Sequence, residues 1–155
     1  MITLDNYKEK LGEIDKIDWE WISRYRILTE NFIREFQNVV NWNYISAYQK
    51  LSEAFLREYQ NEVNWDLISR YQKLSGNFII EFQDRVEWEW ISAYQKISEE
   101  LIREFQNVVN WNYISAYQIL SEDFIREFQD RVDWFSICKK QKLSESFIRE
   151  FQDRF

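Results

Sequence analysis

VNWNYISAYQKLSEAFLREYQNE, residues 40–62, is written out six times with small changes, and little else is present. Trp19, Trp42, Trp65, Trp88, Trp111 and Trp134 follow one another at an unbroken spacing of 23. A fixed period of roughly 20–50 residues marks a stacked array, in which one repeat cannot bury its apolar face alone. Each copy is numbered here from its tryptophan at position 0. Position 3 is then always Ile, position 9 Leu or Ile, position 10 Ser or Thr, and position 17 Phe or Tyr. At about 100° per residue, positions 0, 2, 3, 6 and 9 fall on one side of a helix, and positions 13, 14, 17 and 21 on one side of a second. Each repeat therefore reads as two short helices, with positions 0, 3, 13 and 17 as the expected core.

The boundaries have a mechanism. Thr29, Ser52, Ser75, Ser98, Ser121 and Ser144 are N-cap residues, mostly followed by Glu, whose charge suits a helix start. The residue before each cap and the Ile or Leu at position 14 have the spacing of a hydrophobic staple. Asp18, Asn41, Asn64, Asn110 and Asp133 cap the first helices in the same way, with Glu87 the weaker member. There is no proline, and Gly76 is the repeats' single glycine. Asn or Asp at position 19 is thus the expected left-handed residue closing the second helix. Helices of about nine residues lie below the ~12–15 that an isolated helix needs, so stacking must hold them. Residues 1–18 depart from the repeat, but Leu4, Tyr7, Leu11 and Ile14 recur at helical spacing and predict an N-terminal capping helix. The expected architecture is an all-α solenoid: a capping helix over 1–18, then six tandem helical hairpins over 19–155 as a single domain.

The motif W-x-x-I-S-x-Y-Q-x-L-S-E-x-F-I-R-E-F-Q resembles the short tandem helical repeats of giant-virus and phage or bacterial repeat proteins. The resemblance covers 19–155 and weakens in the sixth copy, where Cys138 and Lys140 replace the usual Ser and Tyr. It implies a virus- or mobile-element-like interaction protein, acting in the host cell cytoplasm if viral, and it carries no catalytic residue. The string IREFQNVVNWNYISAYQ is identical at 33–49 and 102–118, as duplication of a three-repeat block would leave it.

Composition narrows the function classes. With 20 basic and 27 acidic residues the net charge is −7, which disfavours phosphate and anionic lipid as partners. One cysteine and no CxxC pattern point to neither a disulfide framework nor structural zinc, and a cytoplasmic location follows as the expectation. No run approaches the ~18–20 apolar residues of a membrane span, and the N-terminus lacks the regions of a signal peptide. There is no histidine and no Gly-rich phosphate loop. Ser and Glu recur as sextets, which suits six caps better than six active sites. We therefore expect no enzyme, no catalytic residue, no metal and no cofactor.

Two surfaces are candidates. The exposed positions that vary among constant copies lie mainly on the first helices, as in solenoids that tune recognition on a fixed frame. Arg24, Lys50, Arg70, Lys73, Lys96 and Ile119 are the expected partner-binding residues of a protein-binding scaffold. Ile80 is added as an apolar patch through which a homo-oligomer could form. The alternative is an acidic decoy that imitates a nucleic-acid backbone with the repeated Glu35, Glu58, Glu81, Glu104, Glu127 and Glu150. Glu and Arg at positions 11 and 15 form five expected i,i+4 pairs, absent from the third repeat, which has Gly76 and Ile80. The glutamines of position 7 fall within the apolar arc, so stacked copies are expected to bond to the neighbouring repeat's backbone as an amide ladder. Positions 2 and 6 are aromatic or Leu in five copies but Ser136 and Lys140 in the sixth. If that face meets the following repeat, residues 134–155 form a C-terminal cap, with Tyr117 packed on repeat 6 and Lys140 in water.

Overall fold

The computed structural model describes residues 17–154. Twelve α-helices and a closing 3-10 turn at Gln152–Arg154 make up the regular structure, with no strand among the described residues. The first helices of the repeats are α1 (Trp19–Tyr25), α3 (Trp42–Tyr48), α5 (Trp65–Tyr71), α7 (Trp88–Tyr94), α9 (Trp111–Tyr117) and α11 (Trp134–Lys140). The second helices are α2 (Glu30–Glu35), α4 (Glu53–Glu58), α6 (Gly76–Glu81), α8 (Glu99–Glu104), α10 (Glu122–Glu127) and α12 (Glu145–Glu150). The fold is an α-solenoid of six two-helix repeats. The expected capping helix over 1–18 lies, but for its last two residues, outside the described residues. No helix among the described residues is long and apolar enough to cross a membrane.

By its packing the chain divides between Gln72 and Lys73, inside the third repeat, into two compact units. In the first unit α1, α3 and α5 lie side by side in chain order. In the second, α9 packs between α7 and α11.

The helices are seven and six residues long, shorter than expected, because each is stopped by local bonding. Every second helix starts on its Ser or Thr, as at Ser52, whose Oγ accepts from the Phe55 amide at 3.2 Å. Asn41 caps α3 by accepting from both Asn43 and Tyr44, whereas Glu87 makes no side-chain cap bond. The first helix ends where Gln49 takes an extended conformation, φ −90° and ψ 148°, and the cap at Ser52 is extended as well. The second helix ends differently from expectation. No non-glycine residue among those described has positive φ, so the Asn or Asp of position 19 adopts no left-handed turn. Instead the carbonyl of position 17 accepts two amides, as Phe36 does from Val39 and Val40 at 3.0 and 3.1 Å. The tryptophan of the next repeat adds its indole N–H, Trp42 Nε1 donating to Gln37 O at 3.1 Å. The invariant Trp thus closes the inter-repeat turn, which removes the need for a glycine.

Within a hairpin, three rings join the two helices. Trp111 stands 4.9 Å from Phe128, and Phe128 4.7 Å from Phe124. Only the ring of position 13 is fully buried, together with the aliphatic residues of positions 3 and 14. The tryptophans of position 0 are half-buried, and position 17 is buried as Tyr59, Phe82 and Phe128 but half-buried as Phe105, so positions 3, 13 and 14 hold the most deeply buried side chains. Phe124 lies in the centre of the second unit's core with Ile102, Ile114 and Ile125. Phe124→Ala should cost about 3–5 kcal/mol in chemical denaturation, and Phe105→Ala clearly less. Equal costs would place the core on the wrong ring.

Candidate interaction surfaces

The joint between repeats is built on a buried amide. Gln49 donates its Nε2 to Ser23 O at 2.9 Å and Arg26 O at 2.7 Å, and its Oε1 accepts from the Leu28 amide at 2.9 Å. All three groups belong to the preceding repeat. Gln72 repeats the set on Ser46 O, Gln49 O and the Leu51 amide, and Gln118 on Ser92 O, Gln95 O and the Ile97 amide. These are end-of-helix carbonyls and a linker amide that have no partner inside their own helix. The expected ladder is present, and it fills the backbone's needs.

Buried Ser46 adds a second link in the opposite direction. Its Oγ donates to Trp42 O at 2.7 Å and accepts the Asn64 amide, the cap of the next first helix, at 3.0 Å. Ser23, Ser92 and Ser115 accept the amides of Asn41, Asn110 and Asp133 in the same way.

On the second helices the five Glu and Arg pairs exist at 3.6–3.7 Å, but in the first, fourth and fifth repeats both partners have a closer contact to the next repeat. Arg103 reaches Glu127 of the next repeat at 2.8 Å, and Arg126 reaches Glu150 at 2.9 Å. The Glu122 carboxylate accepts the Ser144 amide at 2.6 Å. That amide, more than the nearby Arg126, holds the Glu122 carboxyl below its usual range. Arg103 also lies 4.9 Å from the centre of the Phe124 ring, and Arg126 4.9 Å from that of Phe147. Sequence spacing finds the pair within a helix; the stronger partner one repeat away becomes visible only once the helices are stacked.

The third repeat shows what that arrangement demands. Ile80 occupies the position from which Arg103 covers Phe124, and the residue ahead of it is Leu101, the one position 13 that is not Phe. An aliphatic pair replaces a cation over a ring. Ile80, the expected homo-oligomer position, is half-buried.

The face of positions 2 and 6 points the opposite way from expectation. Tyr44 donates its hydroxyl back to Glu20 at 3.0 Å, a bond that holds the phenol above its usual range, and Tyr113 donates back to Glu89 at 3.5 Å. Arg24 of the first repeat lies 5.3 Å from the Tyr44 ring centre and 5.7 Å from that of Tyr48. Tyr117 is 63% exposed and pairs with Tyr113 of its own helix at 5.9 Å. Lys140 is exposed, but the cap explanation fails, because positions 2 and 6 look toward the preceding repeat and positions 1 and 5 toward the following one. A helical wheel gives the angle between two faces and leaves the direction of travel along the stack open.

Among the expected partner-binding residues, Arg24, Lys50, Lys73, Lys96 and Ile119 are exposed and Arg70 and Ile80 are half-buried. The decoy residues Glu35, Glu58, Glu81, Glu104, Glu127 and Glu150 are exposed, and Glu58, Glu127 and Glu150 accept from Arg34, Arg103 and Arg126. The position 6 tyrosines, three in the first unit and two in the second, lie outside the residues that the sequence pattern marks for binding. Tyr25, Tyr48, Tyr71, Tyr94 and Tyr117 are all 52–63% exposed. Their constancy is the available signal, and it reads as a face packed on the following repeat. Cys138 is exposed, and partial burial of its sulfur pushes the thiol pKa up, so it is no activated nucleophile.

Three outcomes check these joints. Gln118→Met removes three bonds at similar volume. It should cost more than ~2 kcal/mol, since each buried group left bare costs about 1–3, and should speed hydrogen exchange at the Ile97 amide. Glu122 has a folded-state pKa below its unfolded value of about 4.3, so its stabilisation is present above that value and is lost as pH falls through the folded one. Glu122→Gln should therefore flatten the acid limb of the stability curve, and an unchanged limb would show that the Ser144 contact is absent in solution. In a double-mutant cycle, Ile80→Arg and Leu101→Phe together should be more stable than the sum of the single changes, by about 0.5–1 kcal/mol. Additivity would mean the two positions do not touch.

Compared with protein-family models, curated proteins and solved structures, the chain finds no match, so each residue's role rests on the geometry above.

Proposed function

We propose that the protein is a non-enzymatic scaffold that binds a protein partner on the exposed face of its first helices. The observation that carries this is the row of position 6 tyrosines in the first unit, Tyr25, Tyr48 and Tyr71, half in water and set on a frame held by buried amides, with Tyr94 and Tyr117 repeating it within the second. Tyr and Arg are enriched at interface centres because they bring large, stiff contact area with a polar end. Around the tyrosines the sequence changes from copy to copy. Position 5 carries Arg24 and Arg70 or an alanine, and position 8 carries Lys50, Lys73 and Lys96 or the exposed Ile27 and Ile119. A constant aromatic row with variable neighbours suits recognition of an irregular protein surface. The decoy reading is less supported, since Glu58, Glu127 and Glu150 are paired with arginines and so present less bare acid.

Affinity capture from native extract with wild type, Tyr48→Ser/Tyr71→Ser and Glu58→Lys/Glu127→Lys forms tests the scaffold. A partner retained by wild type through a rise in salt, and lost only with the tyrosine variant, is the expected result. A partner that elutes with salt and is lost with the glutamate variant would replace the scaffold with the decoy.

A further inference from the structure

Two joints between first helices differ at a single residue. α1 reads WEWISRY and α7 WEWISAY, while the helices that pack after them, α3 and α9, both read WNYISAY. In the first unit the Arg24 guanidinium carbon lies among three rings, 5.1 Å from the centre of Tyr25, 5.3 Å from that of Tyr44 and 5.7 Å from that of Tyr48. In the second unit the matching residue is Ala93, a single methyl group without charge. The rings have not closed over the difference. Tyr113 lies 5.9 Å from Tyr117 with planes 45° apart, against 6.0 Å and 42° for Tyr44 and Tyr48. Trp90 lies 5.8 Å from Tyr94, against 5.7 Å for Trp21 and Tyr25. The carboxylate is kept as well, since Glu89 accepts from Tyr113 at 3.5 Å as Glu20 does from Tyr44 at 3.0 Å. Tyr117 is 63% exposed where Tyr48, beside Arg24, is 56% exposed.

We propose that the cage of Tyr94, Tyr113 and Tyr117 takes an arginine side chain of a partner protein, in the place that Arg24 fills for the chain itself in the first joint. The faces of the rings carry partial negative charge and attract a cation set over them. The occupant of the matching joint is a guanidinium, a flat, weakly hydrated cation that stacks on rings and still donates to a phenol or carboxylate at its edge. A lysine ammonium is more strongly hydrated and cannot stack, so the cage selects arginine over lysine. The cage is also pre-ordered, because buried Gln118 fixes its helix to the preceding repeat through Ser92 O and Gln95 O. A net charge of −7 draws a basic segment toward the chain. This inference rests on the scaffold reading and names the chemistry of one of its contacts. The test of that reading replaces Tyr48 and Tyr71 in the first unit, so either can fail without the other.

The probe is N-acetylarginine amide, titrated into the full-length protein at constant ionic strength while the tyrosine ring resonances are followed by nuclear magnetic resonance. Saturable shifts of Tyr113 and Tyr117 are expected, with half-saturation on the order of tens of millimolar, as three exposed contacts between a cation and a ring allow. The neutral isostere N-acetylcitrulline amide should bind at least about tenfold more weakly. Ala93→Arg should abolish the response by filling the cage from within, and Arg24→Ala should create a matching response at Tyr44 and Tyr48. Each variant copies a joint that the chain already contains, so both should keep the wild-type circular dichroism. In capture from native extract, Ala93→Arg should release the partner that wild type retains. No saturable shift of Tyr113 or Tyr117 would overturn the proposal, as would equal binding of the citrulline probe or a response that survives Ala93→Arg. Capture that ignores Ala93→Arg but is lost with Tyr48→Ser/Tyr71→Ser would overturn the cage as a partner contact and leave the scaffold standing. Shifts of the same rings on dilution of the protein alone would make a second copy's arginine the occupant and overturn the choice of a partner protein.

Discussion

The structure depends on one side-chain amide placed where the backbone has nothing of its own to offer. A six- or seven-residue helix makes only a few internal bonds, and most of its terminal N–H and C=O groups are left over. Two such helices joined by an extended linker would bury those groups unsatisfied as soon as hairpins stack. Gln49 meets two carbonyls and one amide of its neighbour at once, using both ends of a group that offers two donors and an acceptor. No carboxylate or ammonium could do both. Stacking, capping and turn chemistry all follow from this joint: the Ser of position 4 returns a hydroxyl to the next cap, and the tryptophan closes the turn between them.

That joint also explains how much of the fold is legible in the sequence. Caps are local, so Ser52, Asn41 and the weaker Glu87 read correctly from three or four neighbours. The amide ladder reads correctly because a Gln repeated in five copies inside an apolar arc must bond to something. Three features escape for a shared reason. The Glu and Arg of one helix are neighbours by spacing, yet Arg103 has its shorter bond to Glu127, 24 residues away. Tyr44 and Tyr48 share a face whose direction, toward the preceding repeat, no single-helix pattern carries. The turn after each second helix needs no left-handed residue, because a tryptophan from the following repeat supplies the missing donor. Each depends on the offset between copies, which a periodic sequence states only up to its sign.

The third repeat gives that offset some visible trace. Its Gly76 and Ile80 depart from the pattern in one copy, and the matching departure, Leu101, sits in the next. A change of chemistry at one side of a joint is answered at the other side, 21 residues along and in a different hairpin. Neighbouring copies are therefore coupled through their facing positions, and a repeat is a unit of sequence more than a unit of packing.

The candidate site is harder to read than the frame because constancy has two causes that look alike. Position 3 is constant because it is buried, and position 6 is Tyr in five copies while more than half of each side chain lies in water. Ring pairs such as Tyr44 with Tyr48 at 6.0 Å, and the guanidinium of Arg24 set among Tyr25, Tyr44 and Tyr48, use one face of these rings for the frame. The tyrosines nevertheless stay 52–63% exposed. An aromatic ring is the side chain best able to serve both purposes, since one side can be anchored by neighbours while the other offers stiff apolar area and a hydroxyl at little entropic cost. The frame thus holds the tyrosines still, and the variable positions 5 and 8 beside them can change charge without touching a single bond of the amide ladder. Recognition is thereby free to change while the joints that keep the array folded remain the same.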